Sequence, residues 1–93
     1  MVGRPSKQRP EALPPEDAAE EQRRRQAMGA RIRSKRESLQ WSFRDLEQRS
    51  GIDKKVLQEI ESGSVDARTG TIARIARALG CDPRVIFVGD DEV

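Results

Sequence analysis

The chain of 93 residues has no histidine and no tyrosine, and it has one cysteine, one tryptophan and two phenylalanines. Without histidine, the common zinc-ligand sets and histidine-based catalytic triads are not available. The lone cysteine, Cys81, excludes a disulfide within the chain. No nucleophile–base pair stands out either. We therefore expect neither an enzyme nor a protein that depends on a metal or a cofactor.

Long hydrophobic runs are absent as well. Hydrophobic residues make up 34% of the chain and charged residues 37%, so part of it should lie outside a packed core. No run is long enough to cross a bilayer and none is typical of a signal peptide, which predicts a cytoplasmic protein. The length predicts one small domain at most, with a core near the lower limit for independent stability.

Charge is abundant and is arranged in blocks, although the net charge is only +2. Residues 1–10 carry only positive charges, residues 11–22 only negative charges, and residues 23–36 only positive charges. Such blocks are most often solvated faces or tails. The block at 23–36 is nevertheless an electrostatic footprint that suits a polyanion.

Composition also divides the chain along its length. Residues 1–15 are rich in proline and poor in apolar residues, which predicts a flexible, disordered basic arm. Pro15 suits the first turn of a helix. We expect this helix to run to Leu39 and to be weakened or divided at Gly29, because glycine is a poor helix former. The predicted divisions are the arm (1–15), a charged helical extension (16–27), a domain (28–88) and an acidic tail (89–93).

Capping signals predict two short helices in the middle of the chain instead of one long helix. Ser42 suits an N-cap, and Asp45 three residues later approximates a capping box. Gly51 suits the left-handed residue that ends the second helix, and Asp53 then caps the third. No segment shows the period of two that strands require, so the predicted class is all-α.

Two more helices complete the predicted domain. The fourth begins at about Thr69, carries its apolar residues on one face, and stops at Gly80. Asp82 and Pro83 form an N-cap and first-turn pair for a short fifth helix.

Together these elements resemble the Cro/C1-type helix-turn-helix domain of phage repressors and bacterial XRE-family regulators. The resemblance covers residues 28–88 and is carried by the stretches ARIRSKRESLQWSFRDLEQRSGIDKKVLQEIESG and TIARIARALGCDPRVIF. It implies a compact five-helix domain that binds double-stranded DNA in a sequence-specific way. It further implies a prokaryotic or phage transcriptional regulator, most often a repressor that acts as a homodimer.

The third helix is the predicted reader of DNA bases. Leu57 and Ile60 define its buried side, and helical spacing presents a polar set on the opposite side and its flanks. That set is Lys54, Lys55, Gln58, Glu59 and Ser62. Lysine can donate to guanine and glutamate can accept from cytosine in the major groove. We expect the first four residues to read bases, and the resemblance places base-reading positions at Lys54, Lys55 and Glu59.

Contacts to the DNA backbone are predicted on both sides of that helix. The backbone N–H groups of Ser42 and Phe43, at the start of the second helix, can hold a phosphate. The full predicted set is Ser42, Phe43, Arg44, Ser62 and Arg68, with Arg4, Lys7 and Arg9 of the arm. An arm without any role is an equally open alternative.

Two residues depart from the family's pattern. A glutamine that grips the DNA backbone is common where Phe43 stands, and a small alanine where Glu47 stands. These departures favour a second hypothesis, in which the fold serves as a protein-binding adaptor of the antitoxin-like or polymerase-binding kind. An enzyme is a distant third.

The resemblance implies two further structural features. One is a largely buried ion pair between Arg36 and Glu61 that ties the first helix to the third; the alternative is an exposed pair of little energetic value. The other is dimerisation through the C-terminal end, where residues 85–88 form the most apolar patch. For Val85 and Phe87 we instead expect that they simply close the core.

Overall fold

The computed structural model describes residues 15–92, which form five α-helices and no strand. These are α1 (Pro15–Ser38), α2 (Phe43–Ser50), α3 (Lys54–Ser62), α4 (Thr69–Leu79) and α5 (Pro83–Val88), followed by a 3₁₀ turn at Asp90–Glu92. The predicted all-α, five-helix class is confirmed for this part of the chain. Apart from Pro15, which begins α1, the predicted arm lies outside the described residues. Among residues 15–92, no helix combines the length and the apolar character that crossing a bilayer requires.

The core is small and draws on every helix. Its buried residues are Ile32, Leu46, Ile52, Leu57, Ile60, Ile72, Ile75, Ala76, Leu79 and Ile86. Fully burying one leucine or isoleucine contributes about 1.5–3 kcal/mol, so loss of any one of them would remove a large part of a small domain's stability. α3 packs against both α1 and α2, which buries one side of it and leaves the other in solvent.

The α2–α3 turn is built around Gly51, whose φ is +74°. Its N–H donates to the Glu47 carbonyl at 2.8 Å, which closes α2. Glycine adopts this left-handed conformation at little cost. The end of α2 is also held from outside, because Arg74 Nη2 of α4 donates to the Ser50 carbonyl at 2.9 Å. Ile52 follows and is buried in the core.

Three of the four helices after α1 carry a side-chain N-cap. Ser42 caps α2 in a capping box with Asp45, Asp53 caps α3, and Asp82 caps α5, as the capping signals predicted. α4 is different: its N-cap residue is Arg68, and no side chain accepts a hydrogen bond from its first turn. The N–H groups at that end depend on other acceptors.

The expectation that Gly29 would weaken or divide α1 is wrong. The helix is continuous from Pro15 to Ser38, and a Cβ at Gly29 would lie 2.4 Å from the Glu61 carbonyl oxygen. Glycine therefore permits a close approach of α1 to α3, which outweighs its helix-propensity cost of about 1 kcal/mol. The predicted end of α1 was also wrong, because Leu39 lies outside the helix and is 42% exposed.

At the C-terminal end, Ile86 is the α5 residue that closes the core, and its side chain is fully buried. Of the two residues expected to close the core, Phe87 packs against its edge, whereas Val85 is half-buried and does not join the core cluster. The Asp82 cap sets where α5 begins, and the resulting register turns Ile86 inward. Arg31 of α1 donates to the Ile86 and Phe87 carbonyls at 2.9 and 3.1 Å, which anchors the end of α5.

Candidate nucleic-acid interface

α3 has an inner side, formed by Leu57, Ile60 and Glu61, and its polar partner on α1 is Arg36. The Arg36 guanidinium meets the Glu61 carboxylate in a bidentate pair, with Nε–Oε2 at 2.7 Å and Nη2–Oε1 at 3.1 Å. The two side chains are only 10% and 5% exposed. The hydrogen bond to Glu61 raises the pKa of Arg36 above its ordinary value, against the opposing effect of burial. Arg36 thus remains charged inside the contact between α1 and α3.

Two more groups complete the surroundings of Arg36. Its Nη1 donates to the Trp41 carbonyl at 2.7 Å, and its guanidinium lies over the Phe43 ring, 4.1 Å from the ring centre. Stacking on an aromatic face stabilises a guanidinium. Because all three guanidinium nitrogens of Arg36 donate hydrogen bonds and one face stacks on Phe43, the pair ties α3 to α1 in a defined geometry. Phe43, which departs from the family's pattern, is therefore part of this support.

The outer side of α3 consists of the predicted polar set, Lys54, Lys55, Gln58, Glu59 and Ser62. All are exposed except Glu59, which is half-buried. Neither lysine forms an ion pair with another described residue. Ser62 differs from the others, because its hydroxyl lies 2.9 Å from the Glu59 carbonyl and 3.0 Å from Ser64 Oγ. The structure thus brings the four predicted base-reading residues together, while Ser62 already has partners within the chain.

The N-terminus of α3 is held by two carboxylates. Asp53 Oδ2 accepts from the Lys55 N–H, and Glu47 Oε2 of α2 accepts from the Lys54 N–H, each at 3.0 Å. Negative groups are favourable at this end of a helix. The second departure from the family's pattern, Glu47, therefore has a role within the domain: it joins α2 to the first turn of α3.

The start of α2 offers fewer free donors than predicted. The Ser42 N–H already donates to Asp45 Oδ2 at 2.8 Å, and Ser42 Oγ accepts from the Asp45 N–H at 3.1 Å. The Ser42 N–H is therefore engaged in the capping box, and the predicted contact of Ser42 with a phosphate stays a prediction. The Phe43 N–H has no acceptor among residues 15–92, and Arg44 beside it is exposed.

Arg33 of α1 is a candidate contact that the predicted set missed. It lines an open cleft between α1 and α3 together with Arg36, Phe43, Gln58, Glu61 and Ser62. Its Nε donates to Glu37 at 3.0 Å, and its side chain is 65% exposed. A positional signal existed, since residues three apart on a helix share a face and Arg36 was already expected to meet α3.

The remaining predicted backbone contacts lie beyond the outer side of α3 or outside the described residues. Arg68 is exposed and precedes the uncapped first turn of α4. Helix N-termini with unpaired N–H groups favour anions, so Arg68 and this turn form one positively charged end. Arg4, Lys7 and Arg9 lie outside the part of the chain that the structure describes.

Residues 27–86 match the protein family described as helix-turn-helix domain. The chain belongs to this family. Its helix-turn-helix region is 35% identical over 60 residues to uncharacterized HTH-type transcriptional regulators from two Mycobacterium tuberculosis strains, CDC 1551/Oshkosh and ATCC 25618/H37Rv. The match covers 64% of this chain and 43% of each relative, so the chain spans less than half the length of these curated relatives.

A solved structure gives the same result. The helix-turn-helix chain aligns with the crystal structure of the clp gene regulator ClgR from C. glutamicum with a TM-score of 0.66 and 26% identity. The alignment covers 73% of this chain and 88% of the ClgR chain. The predicted helix-turn-helix resemblance is therefore confirmed by the family match, by the identity to the two relatives and by the shared fold with ClgR.

Proposed function

We propose that this helix-turn-helix chain is a sequence-specific DNA-binding transcriptional regulator, and that it represses by placing α3 in the major groove of its operator. The observation that carries the proposal is the contrast across α3. Its inner side is held by a buried ion pair, whereas the side chains of Lys54, Lys55, Gln58 and Glu59 on its outer side form no ion pair with another described residue. The names of the M. tuberculosis relatives and of ClgR support a role in regulation. A DNA partner of this kind would place the protein in the cytoplasm of a prokaryotic cell.

Base reading is assigned to Lys54, Lys55, Gln58 and Glu59. Side chains near the N-terminus of a helix reach base edges most directly when the helix lies in the major groove. Lys54 and Lys55 are the first two residues of α3, and their ammonium groups would donate to guanine O6 and N7. Glu59 would accept from a cytosine amino group, and Gln58 would contact adenine or the backbone.

Contacts to the backbone are assigned to groups that surround this surface. On one flank they are the Phe43 N–H, Arg33 and Arg44, and the Arg44 guanidinium would replace the side-chain grip of the family's glutamine. On the other flank they are Arg68 and the uncapped first turn of α4. Arg4, Lys7 and Arg9 would add phosphate or minor-groove contacts from the arm. Phosphate contacts position the protein and supply most of the non-specific affinity.

The adaptor hypothesis loses its two supporting residues. Phe43 stacks against Arg36, and Glu47 caps α3. Both departures from the family's pattern are thus explained by contacts inside the domain, and neither requires a protein partner. We keep the adaptor as the outcome that a failed DNA experiment would favour.

A homodimer on a two-fold operator is part of the proposal. Operators of helix-turn-helix dimers present two half-sites about one helical turn apart. Val88, at the end of α5, is 44% exposed and is the most exposed apolar residue of the C-terminal patch, so it could contact a second copy. Ile86 and Phe87 of that patch are committed to the core or its edge.

Titration with random duplex DNA at several salt concentrations tests the proposal. We expect the logarithm of the binding constant to fall linearly with the logarithm of salt concentration, with a slope of about −0.9 for each phosphate contact. Arg68→Ala should make the slope less steep by about one contact. The control is Arg84→Ala on α5, an arginine paired with Asp82, which should leave the slope unchanged. No binding at low salt, or a flat response, would contradict DNA binding and favour the adaptor.

A further inference from the structure

A cavity of about 250 Å³ lies between α1, the α3–α4 connection and α5. We call it the arginine-lined cavity. Its lining residues are Arg24, Arg25, Met28, Ile60, Val65, Asp66, Ala67, Arg68, Thr69, Ile72 and Phe87. None of the four proposed base-reading residues is among them. The lining residues that the DNA proposal also uses are Arg68 and Thr69, the latter as part of the first turn of α4.

The floor of the cavity is apolar. Ile60 and Ile72 are buried core residues, and Met28 and Phe87 pack against the core from its edge. The volume corresponds to about eight water molecules at ~30 Å³ each and is slightly below the ~300 Å³ at which typical ligand pockets begin. An apolar floor of this size suits a short aliphatic chain or a single ring.

The rim is positively charged. It carries three arginines, Arg24, Arg25 and Arg68, and one acidic residue, Asp66. Arg24 is already paired with Glu21, and Arg25 Nε lies 3.4 Å from the Gly63 carbonyl. Arg68 forms no ion pair with another described residue. Arg25 and Arg68 thus carry positive charge that no ion pair among the described residues offsets, and at Arg68 the first turn of α4 also lacks a side-chain cap.

We propose that the arginine-lined cavity binds a small amphipathic carboxylate, such as a medium-chain fatty acid, with its tail against Met28 and Phe87 and its carboxylate on Arg68. The complementarity of charge carries the choice of ligand: an apolar floor alone would take any small hydrocarbon, and the arginines select an anion. Guanidinium groups bind carboxylates with strong, bidentate hydrogen bonds. A carboxylate at this place would also accept from the first-turn N–H groups of α4.

The site has a regulatory consequence, which rests on the proposed function. Arg68 and the first turn of α4 are also assigned to a DNA phosphate, and one guanidinium fork cannot serve both anions fully. The carboxylate would therefore compete with the DNA backbone and lower DNA affinity. The helix-turn-helix domain would then carry its own sensor of small acids.

The binding step is tested without DNA, by NMR titration of the isotope-labelled full chain with three probes. These are octanoate, which has tail and charge; 1-octanol, which has the tail alone; and acetate, which has the charge alone. We expect octanoate to saturate in the low-millimolar range, with shifts centred on Met28, Arg68 and Phe87. The other two probes should bind roughly tenfold more weakly or less well still, because each lacks one half of the interaction.

Arg68→Gln should weaken octanoate binding roughly tenfold or more, since it removes a charge-assisted hydrogen bond. The matched control is Arg77→Gln, an exposed arginine farther along α4 that does not line the cavity, and its octanoate affinity should be unchanged. Thermal unfolding of both variants checks that the fold is intact. Because both side chains are exposed, neither substitution should change the unfolding transition.

Several results would overturn the proposal. If octanoate does not saturate, the cavity is not a binding site. If 1-octanol binds as tightly as octanoate, the cavity does not recognise the charge, and if acetate does, it does not recognise the tail. If Arg68→Gln binds octanoate as tightly as the parent chain, the carboxylate does not lie on Arg68. A chain that binds octanoate but no DNA would keep the site and lose the proposed function. DNA affinity unaffected by saturating octanoate would overturn the competition.

Discussion

The two sides of α3 belong to the same nine residues, yet their polar groups are in different surroundings. On the inner side every polar group has a partner: Glu61 is paired with Arg36, and Leu57 and Ile60 are buried. On the outer side Lys54 and Lys55 have no ion-pair partner among the described residues. A folded chain leaves polar groups free where water, or a ligand, will satisfy them.

This difference separates the residues that pack α3 against the domain from those proposed to contact DNA. Substitutions on the inner side should change stability first and DNA binding as a consequence. Substitutions on the outer side should change DNA binding and leave stability nearly constant, because surface substitutions usually shift it by less than about 0.5 kcal/mol.

The largest effect is expected at the ion pair. Glu61→Ala would leave Arg36 charged and without its partner in a contact where its side chain is 10% exposed, which should cost about 3–5 kcal/mol. Typical domains have only about 5–15 kcal/mol of stability in total. Urea denaturation measures the loss, and Glu59→Ala on the outer side is the control, with a change below about 0.5 kcal/mol.

A double-mutant cycle on Arg36 and Glu61 isolates the interaction from the general cost of truncation. A coupling energy near zero would show that the bidentate geometry contributes nothing to folding. Where Glu61→Ala remains folded, its DNA affinity should still fall, because the pair fixes α3 on α1.

The second largest effect on stability is expected at Gly29, and Gly70, another glycine inside a helix, provides the comparison. Gly29→Ala should destabilise the domain by about 1–3 kcal/mol through overpacking, because its Cβ would lie 2.4 Å from a carbonyl oxygen of Glu61. Gly70→Ala, in the first turn of α4, meets nothing within 4 Å and should stabilise by about 0.4–1 kcal/mol. Thermal melting of both variants gives the signs. A stabilised Gly29→Ala would show that α1 and α3 are not in close contact.

The third effect concerns the cap that starts α2. Ser42→Ala should cost about 0.5–2 kcal/mol, measured by urea denaturation. The same capping box predicts a pH dependence, since the hydrogen bond from the Ser42 N–H lowers the pKa of Asp45 below its ordinary 3.8. A carboxyl group with a lowered folded-state pKa stabilises the fold above its unfolded-state pKa and loses this contribution as pH falls through the folded-state value.

Asp45→Asn tests that dependence. The variant should be less stable than the parent chain at neutral pH, and the difference should shrink as pH falls below about 3.8. A difference that stays constant down to the acid transition would mean that the Asp45 charge has no part in the cap.

The smallest effect on stability is expected from deleting residues 1–10. An arm that buries little should leave the thermal transition nearly unchanged. The same deletion should weaken DNA binding and reduce the salt slope by up to about three phosphate contacts, one each for Arg4, Lys7 and Arg9. An unchanged slope would show that the arm takes no part in binding.

The features that sequence predicted well are local ones. The caps at Ser42, Asp53 and Asp82 and the left-handed turn at Gly51 depend on residues within a few positions of each other. The error at Gly29 has the opposite cause. Helix propensity counts glycine as a weakness, and the benefit comes from a carbonyl of Glu61, far along the chain, which no local pattern can show.

The candidate site divides in the same way. Helical spacing was enough to place Lys54, Lys55, Gln58 and Glu59 on one side of α3, because that needs only the buried positions. The commitments of Phe43 and Glu47 could not be predicted, since each depends on a stacking or hydrogen-bond partner brought close by tertiary packing. Their side chains support the interface from within.

The most direct test of the account is the DNA affinity of Lys55→Ala, measured on a duplex enriched from a random pool and on an unselected duplex. Lys55 lies on the outer side of α3 and its side chain has no ion-pair partner among the described residues, so its loss should leave stability nearly unchanged. The account predicts a loss of about 1–3 kcal/mol on the enriched duplex, a smaller loss on the unselected one, and relaxed preference at one base pair. Equal losses on both would make Lys55 a phosphate contact, and no loss on either would contradict the assignment of α3 as the helix that reads DNA.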